Sequence, residues 1–126
     1  MNKIKIAIVG VGNCASSLVQ GLTYYKNTKA GDKVVGLMHT VLGGYAISDI
    51  EVVAAFDVNE NKVGKDLSEA IYVKPNNTVI FAKVEQTGII VQNAQVLDGI
   101  GEYIKDVVHP SSAEIPDPVK ILQETG

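Results

Sequence analysis

The hydrophobic pattern changes period several times along the chain. Lys3 to Val9 (KIKIAIV) alternates at first and then turns continuously apolar. That pattern predicts a strand entering the middle of a parallel sheet, buried on both faces. From Asn13 a helical period takes over, with Ala15, Leu18, Val19, Leu22 and Tyr25 on one face and Ser16, Gln20 and Thr23 elsewhere. The polar run KNTKAGDK ends that helix. VVGLMHTVLGGYAI follows, apolar but too broken by glycine to favour helix or strand.

IEVVAAFDV is the second strong strand, ending near Asp57. Asn59 to Ile71 reads as a helix with an apolar stripe of Val63, Leu67, Ala70 and Ile71. TVIFAKV and GIIVQ are short β-like runs, and Val96, Leu97, Ile100, Ile104 and Val107 then recur at helical spacing. DPVKILQETG carries helix punctuation, with Asp117 as N-cap, Pro118 in the first turn and Gly126 just past the end. Strands alternating with helices predict an α/β domain, a Rossmann-like parallel sheet with flanking helices. Barely one βαβαβ half is present, so the sheet is expected to be incomplete at the C-terminus, within a single domain or the front part of one spanning 1–126.

Composition narrows the class. A hydrophobic content of 46% with 20% charged residues excludes a disordered chain. The net charge of −3 supplies no basic field, so nucleic acid is not an expected partner. No apolar run approaches the ~20 residues of a membrane span, and the chain opens almost directly on a strand, leaving no room for a signal peptide. The single cysteine, Cys14, excludes an internal disulfide and suits a reducing compartment. The expected location is cytoplasmic.

Chemistry concentrates in GVGNCA. Gly10, Gly12 and Ala15 satisfy the G-x-G-x-x-G/A pattern of a dinucleotide-binding turn. Gly10 allows the tight turn out of the strand, Gly12 lets backbone approach a pyrophosphate, and Ala15 lets the helix lie close to the sheet. The helix N-terminus then directs N–H groups and a positive dipole end at the phosphates. Ser16 and Ser17 either add hydroxyl contacts or cap the first turn. Asp57, closing the second strand, is placed to accept both hydroxyls of an adenosine ribose, and Val58, Asn59 and Glu60 offer no arginine for a 2′-phosphate. NAD is therefore preferred over NADP. The spacing is unusual: Asp57 lies 45 positions after Gly12, against the ~20 of the common fingerprint. The alternative is a plain strand-to-helix turn, or a stand-alone dinucleotide-binding or regulatory module without catalysis.

The insertion at about 27–49 makes the sequence recognisable. AIVGVGNCASSLVQG, then GLMH, DIEVVAAFDVNENKVGKDLSEAI, NNT and LDGIG come in an order that resembles myo-inositol-1-phosphate synthases (inositol-3-phosphate synthases) of the archaeal and actinobacterial type. The likeness runs from Ile4 to about Gly101 and continues more loosely to Gly126, and in that family the long spacing to Asp57 is a common trait. The resemblance implies an NAD-dependent conversion of glucose 6-phosphate to inositol phosphate, serving inositol and phospholipid biosynthesis. Bound NAD oxidises the sugar, an aldol-type ring closure follows, and the hydride returns. It also implies a homo-oligomer, typically a tetramer. It assigns Gly10, Gly12, Asn13, Cys14 and Ala15 to the pyrophosphate turn and Asp57 to the ribose. The family's catalytic lysines belong to a part beyond residue 126, so glucose 6-phosphate is a partner of the full-length enzyme only.

Other residues read as structural. Lys62, Lys65 and Lys105 are expected to be solvated helix charges, and Cys14 a small side chain packed beside the turn. His39 and His109 lack the paired spacing of a zinc site, and His109, before Pro110, is expected to end a helix. Asn76, Asn77 and Thr78 read as a turn leading into a strand. Asp98 suits an exposed helix or a position near the cofactor.

Overall fold

The computed structural model describes residues 3–126. Its elements are β1 (Ile4–Val9), α1 (Asn13–Tyr25), β2 (Val41–Leu42), β3 (Tyr45–Ala46), β4 (Ile50–Asp57), α2 (Leu67–Ala70), β5 (Gln92–Asn93) and α3 (Pro118–Thr125). A short 3₁₀ turn, Ile47–Asp49, leads into β4.

β1 and β4 pair in parallel from Ile4↔Ile50 to Val9↔Phe56, with one irregularity between Ile6 and Ala7. β5 joins the far side of β4 through Phe56↔Gln92 and Asp57↔Asn93, giving the order β1-β4-β5. Two adjacent parallel strands need a crossover connection, and α1 with the insertion provides it. The insertion itself turns back as the β2–β3 hairpin over Gly43 and Gly44, both at positive φ. Both strong strands and the parallel α/β class expected from the sequence are present, but β1 is not the central, doubly buried strand expected. It lies at the edge of the order β1-β4-β5, Ile8 is its one buried residue and Val9 is 81% exposed, because among the described residues no strand pairs with its outer edge.

The core gathers Ile8, Val11, Ala15, Val19 and Ala55 with Leu67, Ala70, Ile71 and Val91. α1 buries Ala15, Ser16, Val19 and Gln20, while Leu18 is left exposed. The expected apolar face is thus rotated, and Gln20 explains the rotation. Its Oε1 accepts from Phe81 N–H at 2.8 Å and Ala82 N–H at 3.2 Å, and its Nε2 donates to Val79 O at 3.3 Å. Segment 79–82 therefore finds its backbone partners on a side chain, and the expected strand TVIFAKV does not form.

The helix expected over 59–71 shrinks to α2. Gly64 adopts φ +84° and its N–H donates to Val91 O at 2.9 Å. Lys65 O accepts from Val91 N–H, and Leu67 N–H donates to Ile89 O. The stretch before α2 thereby runs beside GIIVQ, whose end becomes β5. Asp66 fixes this arrangement. It caps α2 through Ser68 N–H and accepts from Thr87 N–H, Thr87 Oγ1 and Gly88 N–H. Burial raises its carboxyl pKa, but the bonds from Ser68 and Thr87 outweigh burial and hold it well below the usual carboxylate range.

Residues 102–107 form turns in place of the expected helix, with Gly99 at φ +81° and Leu97, Ile104 and Val107 exposed. An apolar stripe with nothing to bury it against does not hold a helix together. α3 begins as its sequence indicates: Asp117 accepts from Val119 N–H at 2.9 Å, and Pro118 occupies the first turn. No described helix is long and apolar enough to cross a membrane.

Candidate functional site

The turn Gly10–Gly12 sits at the carboxyl end of β1, beside the end of β4, where open α/β sheets place their ligands. Gly10 donates to Phe56 O at 2.8 Å and turns the chain at φ +92°, a conformation that favours glycine. Gly12 differs. Its φ of −93° and ψ of −160° are open to any residue, and an added Cβ would meet nothing within 4 Å. Neither strain nor packing within the chain demands a glycine there. Gly12 is the N-cap of α1 and no side chain caps it, so first-turn N–H groups remain open toward the loop mouth.

Between the glycines, Val11 is fully buried and its peptide groups are held from both sides. Its N–H donates to Asp57 Oδ2 at 2.7 Å. Its carbonyl accepts from Lys62 Nζ at 2.7 Å and from Asn76 Nδ2 at 3.1 Å. Asp57 Oδ1 accepts from Asn59 N–H at 2.8 Å. Each carboxylate oxygen still has a second lone pair for a hydroxyl donor.

Asn13 binds the turn to the NNT segment. Its Oδ1 accepts from Asn77 N–H at 2.8 Å, Thr78 N–H at 3.1 Å and Thr78 Oγ1 at 2.8 Å, while its Nδ2 donates to Asn77 Oδ1. The structure thus brings Gly10, Gly12, Asn13 and Asp57 together, with Cys14 and Ala15 opening α1 behind them. Ala15 is buried against the sheet, as a small third residue allows.

Several expectations are corrected. Cys14 is exposed and not packed in the core, because its position on α1 faces away from the buried side. Ser16 is buried beneath the turn and accepts from Gln20 Nε2 at 3.2 Å, so it neither caps α1 nor faces the loop mouth. Lys62 is not a solvated charge: it is only 3% exposed, drawn inward by the Val11 carbonyl and Asn76 Oδ1. Burial pushes its pKa down, and the negative charge of Asp57 partly opposes that shift. Lys65 and Lys105 are exposed. His109 ends no helix; its carbonyl accepts from Glu60 N–H. Asn76 and Thr78 enter the site as irregular backbone just after a turn at Lys74–Pro75, closed by Asn76 N–H donating to Val73 O, and the strand expected after them does not form. Nothing in the spacing of Lys62 marks it for burial, since its two acceptors come from distant parts of the chain.

At the other end of the sheet, the insertion borders a cleft of ≈ 450 Å³ lined by Ile4, Leu37, Met38, Leu42, Ile47 and Ile50, with His39 at its wall. His39 therefore lies far along the strands from the glycine turn.

No protein-family model matches the chain. Inositol-3-phosphate synthase of Mycolicibacterium smegmatis is 54% identical over 122 residues, covering 97% of this chain and 34% of that protein. Inositol-3-phosphate synthase of Corynebacterium glutamicum is 48% identical over 119 residues, covering 94% of this chain and 33% of that protein. Among solved structures, the crystal structure of Ari2 superposes with a TM-score of 0.65 at 32% identity, over 75% of this chain and 30% of that chain. The chain spans about a third of the length of the curated relatives it matches. Over nearly all of its own length, this chain thus matches actinobacterial inositol-3-phosphate synthases, the family its sequence resembles.

Proposed function

We propose that this chain is the NAD-binding portion of an inositol-3-phosphate synthase that converts glucose 6-phosphate to inositol 3-phosphate. The observation that carries the reading is Gly12, a glycine whose backbone needs no glycine and whose missing Cβ opens onto free space. A pyrophosphate approaching the N-terminus of α1 supplies the reason, because a side chain there would stand between phosphate and backbone N–H groups. Asp57 at the end of β4 retains acceptor capacity for the ribose hydroxyls, and its negative charge disfavours a 2′-phosphate. When bound, NAD supplies a hydride acceptor that later returns the hydride. This chain's own residues bind and orient it: Gly10 turns the chain, Gly12 and Asn13 present backbone N–H groups, Cys14 and Ala15 continue the first turn, and Asp57 fixes the ribose.

The substrate pocket and catalytic lysines lie outside these residues in this reading. With glucose 6-phosphate and NAD, the 126-residue chain is expected to form no inositol phosphate; product formation would refute that division of labour. A homo-oligomeric, cytoplasmic enzyme follows from the same family reading. The direct test is calorimetric titration with NAD and NADP. NAD is expected to bind at least about tenfold more tightly, from charge repulsion at Asp57. Equal affinities would remove the case for Asp57 at the ribose.

A further inference from the structure

The buried ammonium of Lys62 has no role in the reading so far. It lies behind the glycine turn, 3% exposed, with Nζ donating to Val11 O at 2.7 Å and to Asn76 Oδ1 at 2.8 Å. Both acceptors are neutral. Among the described residues the one ion pair within 4.0 Å is Lys120–Glu124, so no carboxylate contacts Lys62. A buried charge without a contacting counter-charge is costly, and the carboxylate of Asp57, which holds the other side of the Val11 peptide, acts on Lys62 through space and not by contact. An ammonium also carries three donors, and two acceptors are present.

The same contacts set the turn's shape. Lys62 and Asn76 draw the Val11 carbonyl inward, and Asp57 holds the Val11 N–H. With that carbonyl fixed toward the interior, the groups that follow at Gly12 and Asn13 are left to face the loop mouth. We propose that Lys62 is a positioning residue of the pyrophosphate turn: it fixes the Val11 carbonyl and supplies the buried positive charge against which a pyrophosphate is held. The proposal rests on the dinucleotide reading above and extends it to the source of phosphate affinity. Positive charge in a partly desolvated place acts on an anion without contacting it.

The test compares the chain with its Lys62→Met and Lys62→Gln variants, titrated with NAD and with adenosine, and records thermal unfolding. Methionine keeps an unbranched apolar stem, one atom shorter, and removes charge and donors; glutamine keeps an N–H donor without charge and serves as the readout if the methionine variant does not fold. NAD affinity is expected to fall about tenfold or more in either variant, while adenosine, which has no pyrophosphate, changes less than about twofold. A merely structural lysine would lower both affinities together or shift only the unfolding temperature, and either result overturns the proposal. Unchanged NAD affinity in a folded variant overturns it as well. If the unmodified chain binds adenosine but not NAD, or neither, the cofactor reading falls and the lysine's role with it.

Discussion

The two ends of the sheet are built from different materials. At the carboxyl ends of β1 and β4, polar side chains from distant segments converge on one short turn: Asp57, Lys62 and Asn76 on Val11, and Asn77 and Thr78 on Asn13. At the amino ends, the insertion surrounds an apolar cleft, and Val35 and Met38 stand almost fully exposed. That cleft is lined chiefly by aliphatic side chains. Specific recognition of a charged, hydroxylated ligand needs oriented donors and acceptors more than volume, and these sit at the glycine turn. The apolar end is a surface of another kind, where aliphatic side chains outnumber polar ones.

Releasing segment 79–82 from Gln20 of α1 should have the largest effect on stability. Gln20→Leu leaves the N–H groups of Phe81 and Ala82 without their acceptor, an expected loss of about 2–4 kcal/mol in urea unfolding. Gly10→Ala forces a Cβ into φ +92°, costing about 1–2 kcal/mol and disturbing the turn it opens. Urea unfolding reads the first effect, and NAD titration of the same variant reads the second. At the apolar end, Met38→Ser should alter stability by less than about 0.5 kcal/mol and leave NAD affinity unchanged. A loss of NAD affinity there would mean that the two ends are not independent.

Acid provides a sharper probe of the loop beside α2. The folded carboxyl of Asp66 sits below its ordinary pKa of 3.8, so near that pH the unfolded chain binds more protons. The stability this residue contributes is present above the ordinary value and is lost as pH falls toward the folded one. Comparing the acid limb of the unfolding profile with that of Asp66→Asn should show a shallower slope in the variant. Identical slopes would exclude Asp66 as the group responsible.

The sequence makes β1, the start of α1, β4 and α3 legible, because each depends on local signals: a continuous apolar run, a period change after a glycine pair, and a capping aspartate ahead of proline. The glycine turn and Asp57 are legible for the same reason. What escapes the sequence depends on long-range partners. The helix expected over 59–71 yields to pairing of 64–67 with 89–91, and the strand expected over 78–84 yields to one glutamine side chain. Periodicity records which residues are apolar, not which distant segment will satisfy their backbone. Lys62 is the plainest case: a lysine between Asn61 and Val63 looks solvated until a carbonyl 51 residues earlier captures it.

The glycine that the chain itself does not require gives the most direct test. Gly12→Val adds a side chain into open space at an extended backbone position, so stability should change by no more than about 1 kcal/mol from the altered N-cap. NAD titration of this folded variant should show binding lost while the unmodified chain binds. Retained NAD affinity in the valine variant would contradict the account, leaving GVGNCA an architectural turn between a strand and a helix.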